Sequence, residues 1–342
     1  MRILIRSLNW LGDAVMQAPA LRLLKALRPG AELVFVAKPA VAEVVKAYGL
    51  GTVLPWSPKL LERARLIREA EADAALVLPK SFGTAMEVFL GRVPERWGWS
   101  AQGRRPLLTR ALPRWDDSAH YALRFRALVA GALQAGSDLP TTVADLAPPL
   151  EWKAAAAPFL RDDGRPMALL APGAAGGTAK QWPLSSWTRL AQRLAEEGIP
   201  VAVIGRQEEA ELGRAMTEAV PGLLDLTGKT SLAALGGLLA EASLVVANDS
   251  GTMHLAAALG APTLGIFGPT SPRTSHPLGR NARALWAEVE CAPCYLRECP
   301  IDHRCMARLD PESIWPIAAS VLEGEAPVSP LLAPRPALPG II

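Results

Sequence analysis

Short apolar runs alternate along this chain with longer segments in which apolar residues recur at helical spacing. The short runs predict buried strands, and the 3.6-residue period predicts helices. Strands that alternate with helices indicate a parallel sheet built from right-handed crossover units. In the first half, the predicted strands are Arg2–Ser7, Glu32–Ala37 and Ala74–Leu78, and the predicted helices are Ala14–Leu27, Ala40–Tyr48, Leu60–Glu71 and one that begins near Ser81.

The same alternation restarts after a proline- and alanine-rich passage at Ala144–Ala157. A chain of 342 residues exceeds what one core usually carries, so we expect two Rossmann-like domains, at 1–155 and 156–323, facing an interdomain cleft. The proline-rich tail at 324–342 is expected to be disordered. The predicted strands of the second half are Met167–Ala171, Pro200–Gly205, Leu244–Ala247 and Thr263–Phe267, and the predicted helices are Ser185–Glu197, Glu208–Ala219, Ser231–Ala240 and a short one that ends at Gly260.

The charge is nearly balanced, with a formal net charge of +3, which gives no overall signal for nucleic-acid binding. Arginines are nevertheless concentrated in one stretch, which forms either a solvated face or a docking surface for an anionic partner. No long apolar segment is free of glycine and proline, so we expect a cytosolic protein without a membrane span. The arginines of that stretch are Arg92, Arg96, Arg104, Arg105, Arg110, Arg114, Arg124 and Arg126.

The most informative segment is the turn Asn248–Thr252, which separates a predicted strand from a short helix rich in small residues. A turn of Asp, Ser, Gly and Thr at a helix start presents free N–H groups, and the helix dipole favours a phosphate there. Asp249 is placed to accept hydrogen bonds from hydroxyl groups. This combination of phosphate and hydroxyl recognition suggests a nucleotide-sugar ligand.

A second glycine-rich loop, Pro172–Pro183, follows the first strand of the second domain and carries Lys180. Such a loop allows the backbone to approach a polyanion, and the lysine can reach a phosphate; a flexible surface loop is the alternative. Glu208 and Glu209 follow another strand, where one of them could accept the ribose hydroxyls or simply begin a helix. His254 is either a partner of a phosphate or of Asp249, or a packed residue.

Asp13 closes the first strand-to-helix turn, at the sheet edge where ligands of parallel-sheet proteins bind. An aspartate there either caps the helix or acts as a general base towards an attacking hydroxyl. The turn contains a single glycine, so the chain has neither the dinucleotide-binding fingerprint nor a P-loop. This argues against a nicotinamide cofactor and against a nucleotide-hydrolysing motor.

All cysteines of the chain lie close together, with His303 among them. The first two have metal-ligand spacing, and four thiolates could hold a structural zinc ion. Reduced structural thiols and disulfides are the alternatives, since the remaining gaps are looser than in zinc ribbons. The cysteines are Cys291, Cys294, Cys299 and Cys305.

Taken together, these segments resemble the ADP-heptose:lipopolysaccharide heptosyltransferases of glycosyltransferase family 9, particularly the heptosyltransferase II branch. The matching stretches span nearly the whole chain in the order of the family. They are MRILIRSLNWLGDAVMQAPALRLLK, LPKSFGTAMEVFLGRVPERWGW, PGAAGGTAKQWP, NDSGTMHLAAALGAPTLGIFGPTSP and the cysteine passage CAPCYLRECPIDHRCM.

The resemblance implies an α/β GT-B fold, with an N-terminal acceptor domain and a C-terminal donor domain. It also implies an inverting transferase that needs no catalytic metal, and the chain has no Asp-x-Asp motif. Asp13 becomes the catalytic base, and Lys80 and Ser81 face the acceptor. The donor-binding residues that it implies are Lys180, Glu209 (or Glu208), Asp249, Ser250, Gly251, Thr252 and His254.

The expected reaction moves a heptose from ADP-L-glycero-D-manno-heptose to the heptose of a lipopolysaccharide inner core. The partners are then ADP-heptose, the lipid A–Kdo–heptose acceptor and the cytoplasmic surface of the inner membrane, which the arginine-rich stretch would meet. A family 9 transferase with another donor or acceptor, a nucleotide-sugar epimerase and a zinc-bearing interaction module are the competing interpretations.

Overall fold

The computed structural model describes residues 1–113, 116–135, 144–324 and 331–332, and the chain divides into two compact units between Ala144 and Asp145. The boundary falls earlier than the expected 155, because the helix Leu150–Ala156 packs against the helix Leu232–Ala240 of the second unit. Glycines allow this close approach: a Cβ at Gly236 or Gly237 would overlap Trp152.

The N-terminal unit is a six-stranded sheet in the order β3-β2-β1-β4-β5-β6, and all neighbouring strands are parallel. The predicted helix Ala14–Leu27 is two helices that meet at Gln17, because Pro19 has no N–H with which to continue the first one. The elements are β1 (Arg2–Arg6), α1 (Leu11–Met16), α2 (Ala18–Leu27), β2 (Glu32–Val36), α3 (Pro39–Ala47), β3 (Thr52–Val53), α4 (Leu60–Glu69), β4 (Ala74–Val77), α5 (Phe82–Leu90), β5 (Glu95–Trp99), β6 (Arg110–Leu112) and α6 (Tyr121–Leu133).

The C-terminal unit is a seven-stranded parallel sheet in the order β13-β12-β11-β10-β7-β8-β9. Its last strand, at Leu331 and Leu332, lies in the tail expected to be disordered and pairs with β12; the other residues after 324 lie outside the described part of the chain. The elements are α7 (Leu150–Ala156), β7 (Ala168–Ala171), α8 (Leu184–Glu196), β8 (Val201–Val203), α9 (Ala210–Ala219), β9 (Leu224–Asp225), α10 (Leu232–Ala240), β10 (Leu244–Asn248), α11 (Gly251–Ala258), β11 (Thr263–Phe267), α12 (Pro272–Ser275), β12 (Ala282–Trp286), α13 (Arg304–Ala307), α14 (Pro311–Leu322) and β13 (Leu331–Leu332).

Each sheet reverses its strand order beside its first strand, between β1 and β4 in one unit and between β7 and β10 in the other. Loops that leave two such strands run to opposite faces of the sheet and open a crevice at its carboxyl edge, where ligands of open α/β sheets bind. Most of the predicted site residues follow these four strands, whereas Glu208 and Glu209 follow β8. Among the described residues, no helix has the length and apolar character needed to cross a bilayer.

Candidate functional site

The central contact of the C-terminal unit is an ion pair between Lys180 and Asp249, which follow β7 and β10 respectively. Lys180 Nζ lies 2.6 Å from Asp249 Oδ2, and the two side chains are 22% and 8% exposed. The Thr270 hydroxyl, which follows β11, donates to the same carboxylate oxygen at 2.8 Å. The sequence predicts separate roles for Lys180 and Asp249, and the parallel pairing of β7 with β10 brings them together. Thr270 is a residue to which the sequence assigned no role.

The loop that carries Lys180 is fixed by Asn248, the last residue of β10. The Asn248 side chain accepts a hydrogen bond from the Trp182 N–H at 3.1 Å and donates to the Pro172 carbonyl at 2.6 Å. Both ends of the glycine-rich loop are therefore tied to the strand that precedes Asp249. Trp182 is buried and its indole N–H donates to the Leu309 carbonyl at 2.8 Å. The loop is thus held by hydrogen bonds at both ends, unlike the flexible surface loop that was the alternative.

The helix α11 begins directly after Asp249, with Ser250 at its N-cap position. The Ser250 side chain makes no capping hydrogen bond, and its buried Oγ has no partner among the described residues. The first-turn N–H groups of Gly251 and Thr252 have no carbonyl within the helix to bond. Donors at a helix N-terminus, beside the Lys180 ammonium, form an environment suited to a phosphate group.

His254 is buried in the first turn of α11, and its Nδ1 has no hydrogen-bond partner in the described part of the chain. Burial lowers its pKa to about 4, although the negative charge of Asp249 acts in the opposite direction. The imidazole is therefore neutral at pH 7. A neutral, buried imidazole next to Asp249 agrees with the packed residue that the sequence allowed, and a contact between His254 and a phosphate stays a prediction.

The two acidic candidates after β8 differ in their surroundings. Glu209 is 12% exposed, and its carboxylate accepts hydrogen bonds from the Arg206 backbone N–H at 2.8 Å and from the Arg206 guanidinium at 3.1 Å. It lies against the glycine-rich loop, because a Cβ on Gly173 would overlap the carboxylate. Glu208 is 72% exposed. Glu209 is therefore the acid that faces the loop.

The cysteine segment, residues 287–305, forms hydrogen bonds with the same loop. The sequence did not indicate this contact. The Ala179 N–H donates to the Arg297 carbonyl at 3.0 Å, and His303 Nε2 donates to the Ala179 carbonyl at 2.7 Å. Gly177 has a φ of +119°, and a Cβ there would overlap the Arg297 carbonyl oxygen. The residue before Lys180 is thus held on both its N–H and its carbonyl.

The four cysteines are free thiols, and their exposure decreases along the chain, from exposed Cys291 and Cys294 to buried Cys305. Burial, together with the nearby thiols, raises the pKa of Cys305 to about 11. Across the described ranges, no three His, Cys, Asp or Glu residues are arranged to hold a metal ion. The structural zinc site therefore stays a prediction.

The remaining predicted residues lie in the N-terminal unit. Asp13 follows β1 in the first turn of α1, whose N-cap is Trp10, so Asp13 is not the capping residue. Ser81 is the N-cap of α5 after β4, and Lys80 beside it is exposed. Because β1 pairs with β4, these residues follow the two strands at the strand-order reversal.

The arginine-rich stretch does not form a face. Arg104, Arg124 and Arg126 are buried, Arg96 and Arg110 are half-buried, and Arg92 and Arg105 are exposed. Arg104 donates to the carbonyls of Trp99 and Pro79, and four of these arginines in all bond to backbone carbonyls, so they are structural groups. Those four are Arg96, Arg104, Arg110 and Arg124; Arg114 lies outside the described residues.

Comparison with known proteins agrees with this arrangement. The model of glycosyltransferase family 9 (heptosyltransferase) matches residues 60–304. Lipopolysaccharide heptosyltransferase 2 of Salmonella typhimurium is 33% identical over 83% of this chain and 88% of its own length. Lipopolysaccharide heptosyltransferase 1 of Pseudomonas aeruginosa is 30% identical over 87% of each chain. The solved structure of Escherichia coli ADP-heptose lps heptosyltransferase II superposes with a TM-score of 0.82, at 28% identity, over 95% of this chain and 99% of that one.

Proposed function

The chain belongs to glycosyltransferase family 9 (heptosyltransferase), and on that basis we propose that it transfers a heptose from ADP-heptose to the heptose of a lipopolysaccharide inner core. The expected donor sugar is L-glycero-D-manno-heptose, and the anomeric centre inverts. The observation that carries the proposal is the Lys180–Asp249 pair at the N-terminus of α11. That pair places a cation for the diphosphate beside an acceptor for sugar hydroxyls.

In the proposed donor complex, the diphosphate occupies the space next to Lys180 and the first-turn N–H groups of α11. The lysine exchanges part of its contact with Asp249 for the phosphate, and the carboxylate then accepts hydrogen bonds from the heptose hydroxyls. Glu209, held by Arg206 against Gly173, accepts the ribose hydroxyls. Ser250 Oγ and the N–H groups of Gly251 and Thr252 donate to phosphate oxygens, while neutral His254 packs beneath them.

In the proposed reaction, Asp13 removes the proton from the attacking hydroxyl of the acceptor, which Lys80 and Ser81 help to bind. The freed oxygen attacks the anomeric carbon, and the bond from that carbon to the ADP oxygen breaks. The negative charge that grows on the diphosphate is stabilised by the Lys180 ammonium and by the dipole of α11. The proposal requires no metal for this step, because fixed cationic and N–H donors meet the leaving group.

The acceptor in this proposal is anchored in a membrane by lipid A, so we expect transient contact with the cytoplasmic surface of the inner membrane. Co-sedimentation with vesicles that contain the acceptor, compared with vesicles of the same phospholipids without it, tests this contact. Elemental analysis of the purified protein tests the predicted zinc, and transfer measured with and without EDTA tests the absence of a catalytic metal.

A thermal-shift series with ADP, UDP and GDP tests the nucleotide, and we expect ADP to raise the melting temperature most. Transfer is then followed by mass spectrometry of the acceptor after incubation with ADP-heptose. An acceptor that gains one heptose only in the presence of the enzyme supports the proposal. Release of ADP at the same rate with and without the acceptor would argue for hydrolysis instead and would contradict it.

A further inference from the structure

The N-terminal unit contains a cavity of about 550 Å³ that no predicted site residue except Ser81 contacts. It lies at the carboxyl edge of the sheet, since Asn9 follows β1, Lys38 follows β2 and Ser81 follows β4. This is the edge at which ligands of parallel sheets bind. Its lining residues are Arg6, Asn9, Lys38, Trp56, Pro58, Arg63, Ser81, Gly83, Thr84 and Glu87.

The cavity wall carries more positive than negative charge. Three of its lining residues, Arg6, Lys38 and Arg63, are cationic, whereas Glu87 is its single carboxylate. Arg6 Nε lies 2.7 Å from Glu87 Oε2, and Arg63 Nη2 lies 2.9 Å from Glu87 Oε1. Both oxygens of Glu87 are therefore occupied by one guanidinium each. One carboxylate cannot neutralise two guanidinium groups, and Lys38 adds a third positive charge.

The two guanidinium groups and the carboxylate of Glu87 are held in place in a poorly solvated environment. The side chains of Arg6 and Glu87 are each 3% exposed and that of Arg63 is 11% exposed. The guanidinium carbons of Arg6 and Arg63 lie 5.4 and 4.9 Å from the centre of the Trp56 ring, and the buried Arg63 Nε has no hydrogen-bond partner among the described residues. A buried excess of charge is unfavourable unless a counter-ion compensates it, so the cavity favours an anionic ligand.

The first turn of α5 adds to this preference. Ser81, Gly83 and Thr84 line the cavity, and the free N–H groups of the first turn carry the positive end of the helix dipole. The volume exceeds that of a single phosphate or carboxylate and accommodates the sugar that bears it. Asn9 lies in the connection between β1 and α1, four positions before Asp13 in the first turn of α1, so the cavity and the proposed base follow the same strand.

We propose that this cavity binds an anionic group, a phosphate monoester or a carboxylate, carried by a sugar of the acceptor, and that Arg6, Arg63 and Lys38 recognise it. The assignment of the ligand to the acceptor rests on the proposed function. In this proposal the N-terminal unit recognises the anion through this cavity, and not through the arginine-rich stretch that the sequence indicated. Lys38 and Arg63 are then specificity-determining residues for the charged acceptor.

The test is steady-state transfer by Lys38→Met, Lys38→Arg and Arg63→Met, with Arg65→Met as the matched control. Arg65 lies on the same helix as Arg63, is 71% exposed and pairs only weakly with Glu69 at 3.5 Å. We expect Lys38→Met to raise the KM for the acceptor about threefold to tenfold and Arg63→Met more than tenfold, with the KM for the donor unchanged. Arg65→Met should behave like the wild type, and Lys38→Arg, which keeps the positive charge, should raise the KM for the acceptor less than Lys38→Met does.

Two chemically altered acceptors distinguish the source of the anion. Phosphatase treatment removes phosphate monoesters, and reduction of carboxyl groups removes carboxylates. The treatment that removes the recognised group should raise the wild-type KM to that of Lys38→Met and should have little further effect on the variant. Because Lys38 is exposed, its replacement leaves the fold intact even where Arg63→Met does not fold. An acceptor KM that is the same for wild type and Lys38→Met would overturn the proposal.

Direct binding separates this proposal from the proposed function. Mannose 6-phosphate, mannuronate and neutral mannose serve as probes, with chemical shifts of the protein as the readout. Wild-type binding of a charged probe that weakens in Lys38→Met supports the cavity, even where no heptose transfer is found and the proposed function fails. Equal binding of the charged probes and of mannose, or equal binding by wild type and Lys38→Met, would overturn it while leaving the donor site untouched.

Discussion

Replacement of Lys180 by methionine tests the donor site most directly, because this residue has a partner in the protein and a second one in the proposed complex. Asp249 is 8% exposed, and without Lys180 its carboxylate keeps only the Thr270 hydroxyl among the contacts described above. Removing one partner of a fully buried pair costs several kcal/mol. Since Lys180 is 22% exposed, we expect a smaller loss of unfolding free energy, about 1–2 kcal/mol.

The same substitution removes a charged contact to the diphosphate, which is worth about 1.5–3 kcal/mol. At about 1.4 kcal/mol per factor of ten, this corresponds to roughly a tenfold to hundredfold increase in the Kd for ADP. Isothermal titration calorimetry measures this Kd, and urea unfolding measures the stability. Lys229→Met is the matched control, because Lys229 lies in the same unit and donates to the Asp225 carbonyl at an exposed position.

The double variant Lys180→Met/Asp249→Asn separates the two effects. Asparagine at 249 is neutral, so the unpaired buried charge disappears and most of the lost stability should return. The affinity for ADP should stay low, because no cation has been restored. Recovery of ADP affinity in the double variant, or an unchanged affinity in Lys180→Met alone, would refute the phosphate role of Lys180 and leave it a purely structural residue.

Three further predictions concern single residues. Asp13→Asn should lower turnover by about 10²–10⁴ while the Kd for ADP stays within a factor of two or so, and retained turnover in a stopped heptose-transfer assay would exclude Asp13 as the base. His254 has a pKa of about 4 in the folded protein, below the ordinary 6.5. Between pH 6.5 and 4 the unfolded chain therefore binds a proton at His254 and the folded protein does not, so the free energy of unfolding should decrease progressively as the pH falls through this range. The loss reaches about 3 kcal/mol at the low end, and urea unfolding of His254→Gln should lack this slope; equal slopes would contradict the assigned pKa. Gly177→Ala should raise the KM for the donor and cost about 1–3 kcal/mol of stability, because it combines a φ of +119° with overlap onto Arg297, whereas Gly30→Ala, with open space around the new Cβ, should do neither.

The alternation of apolar runs and helical periods predicted the strands that carry the site, because their buried residues form continuous apolar segments in the sequence. All residues of β10 and β11 are buried, and both appear as such runs. The contact between Lys180 and Asp249 was not predictable in the same way. It depends on the neighbouring positions of β7 and β10 in the sheet, and periodicity along a chain carries no information on the order of strands.

Two other kinds of feature could not be predicted from the sequence: very short strands and long-range side-chain hydrogen bonds. Short edge strands such as β3 and β9, with two residues each, were too short to give a periodic signal. His303 lies among the cysteines, where the sequence gave it no role, and its Nε2 bonds to the carbonyl of the residue before Lys180. A hydrogen bond to a backbone carbonyl at long range leaves no pattern in composition or spacing.

The number of arginines in a stretch of sequence does not predict where positive charge lies in the folded protein. The arginines between 92 and 126 are dense in sequence, but a buried guanidinium such as that of Arg104 donates to carbonyl oxygens inside the unit and does not line the cavity. Arg6 and Arg63 lie outside that stretch and far from each other in the sequence, yet they share the carboxylate of Glu87 and leave positive charge facing a cavity. An anion can be recognised only by the arginines that line a cavity and are not fully neutralised there, and their position in the fold decides this rather than their number in one stretch of the sequence. For this reason the Lys38 variants, and not substitutions of Arg104 or Arg124, test how the N-terminal unit recognises a charged acceptor.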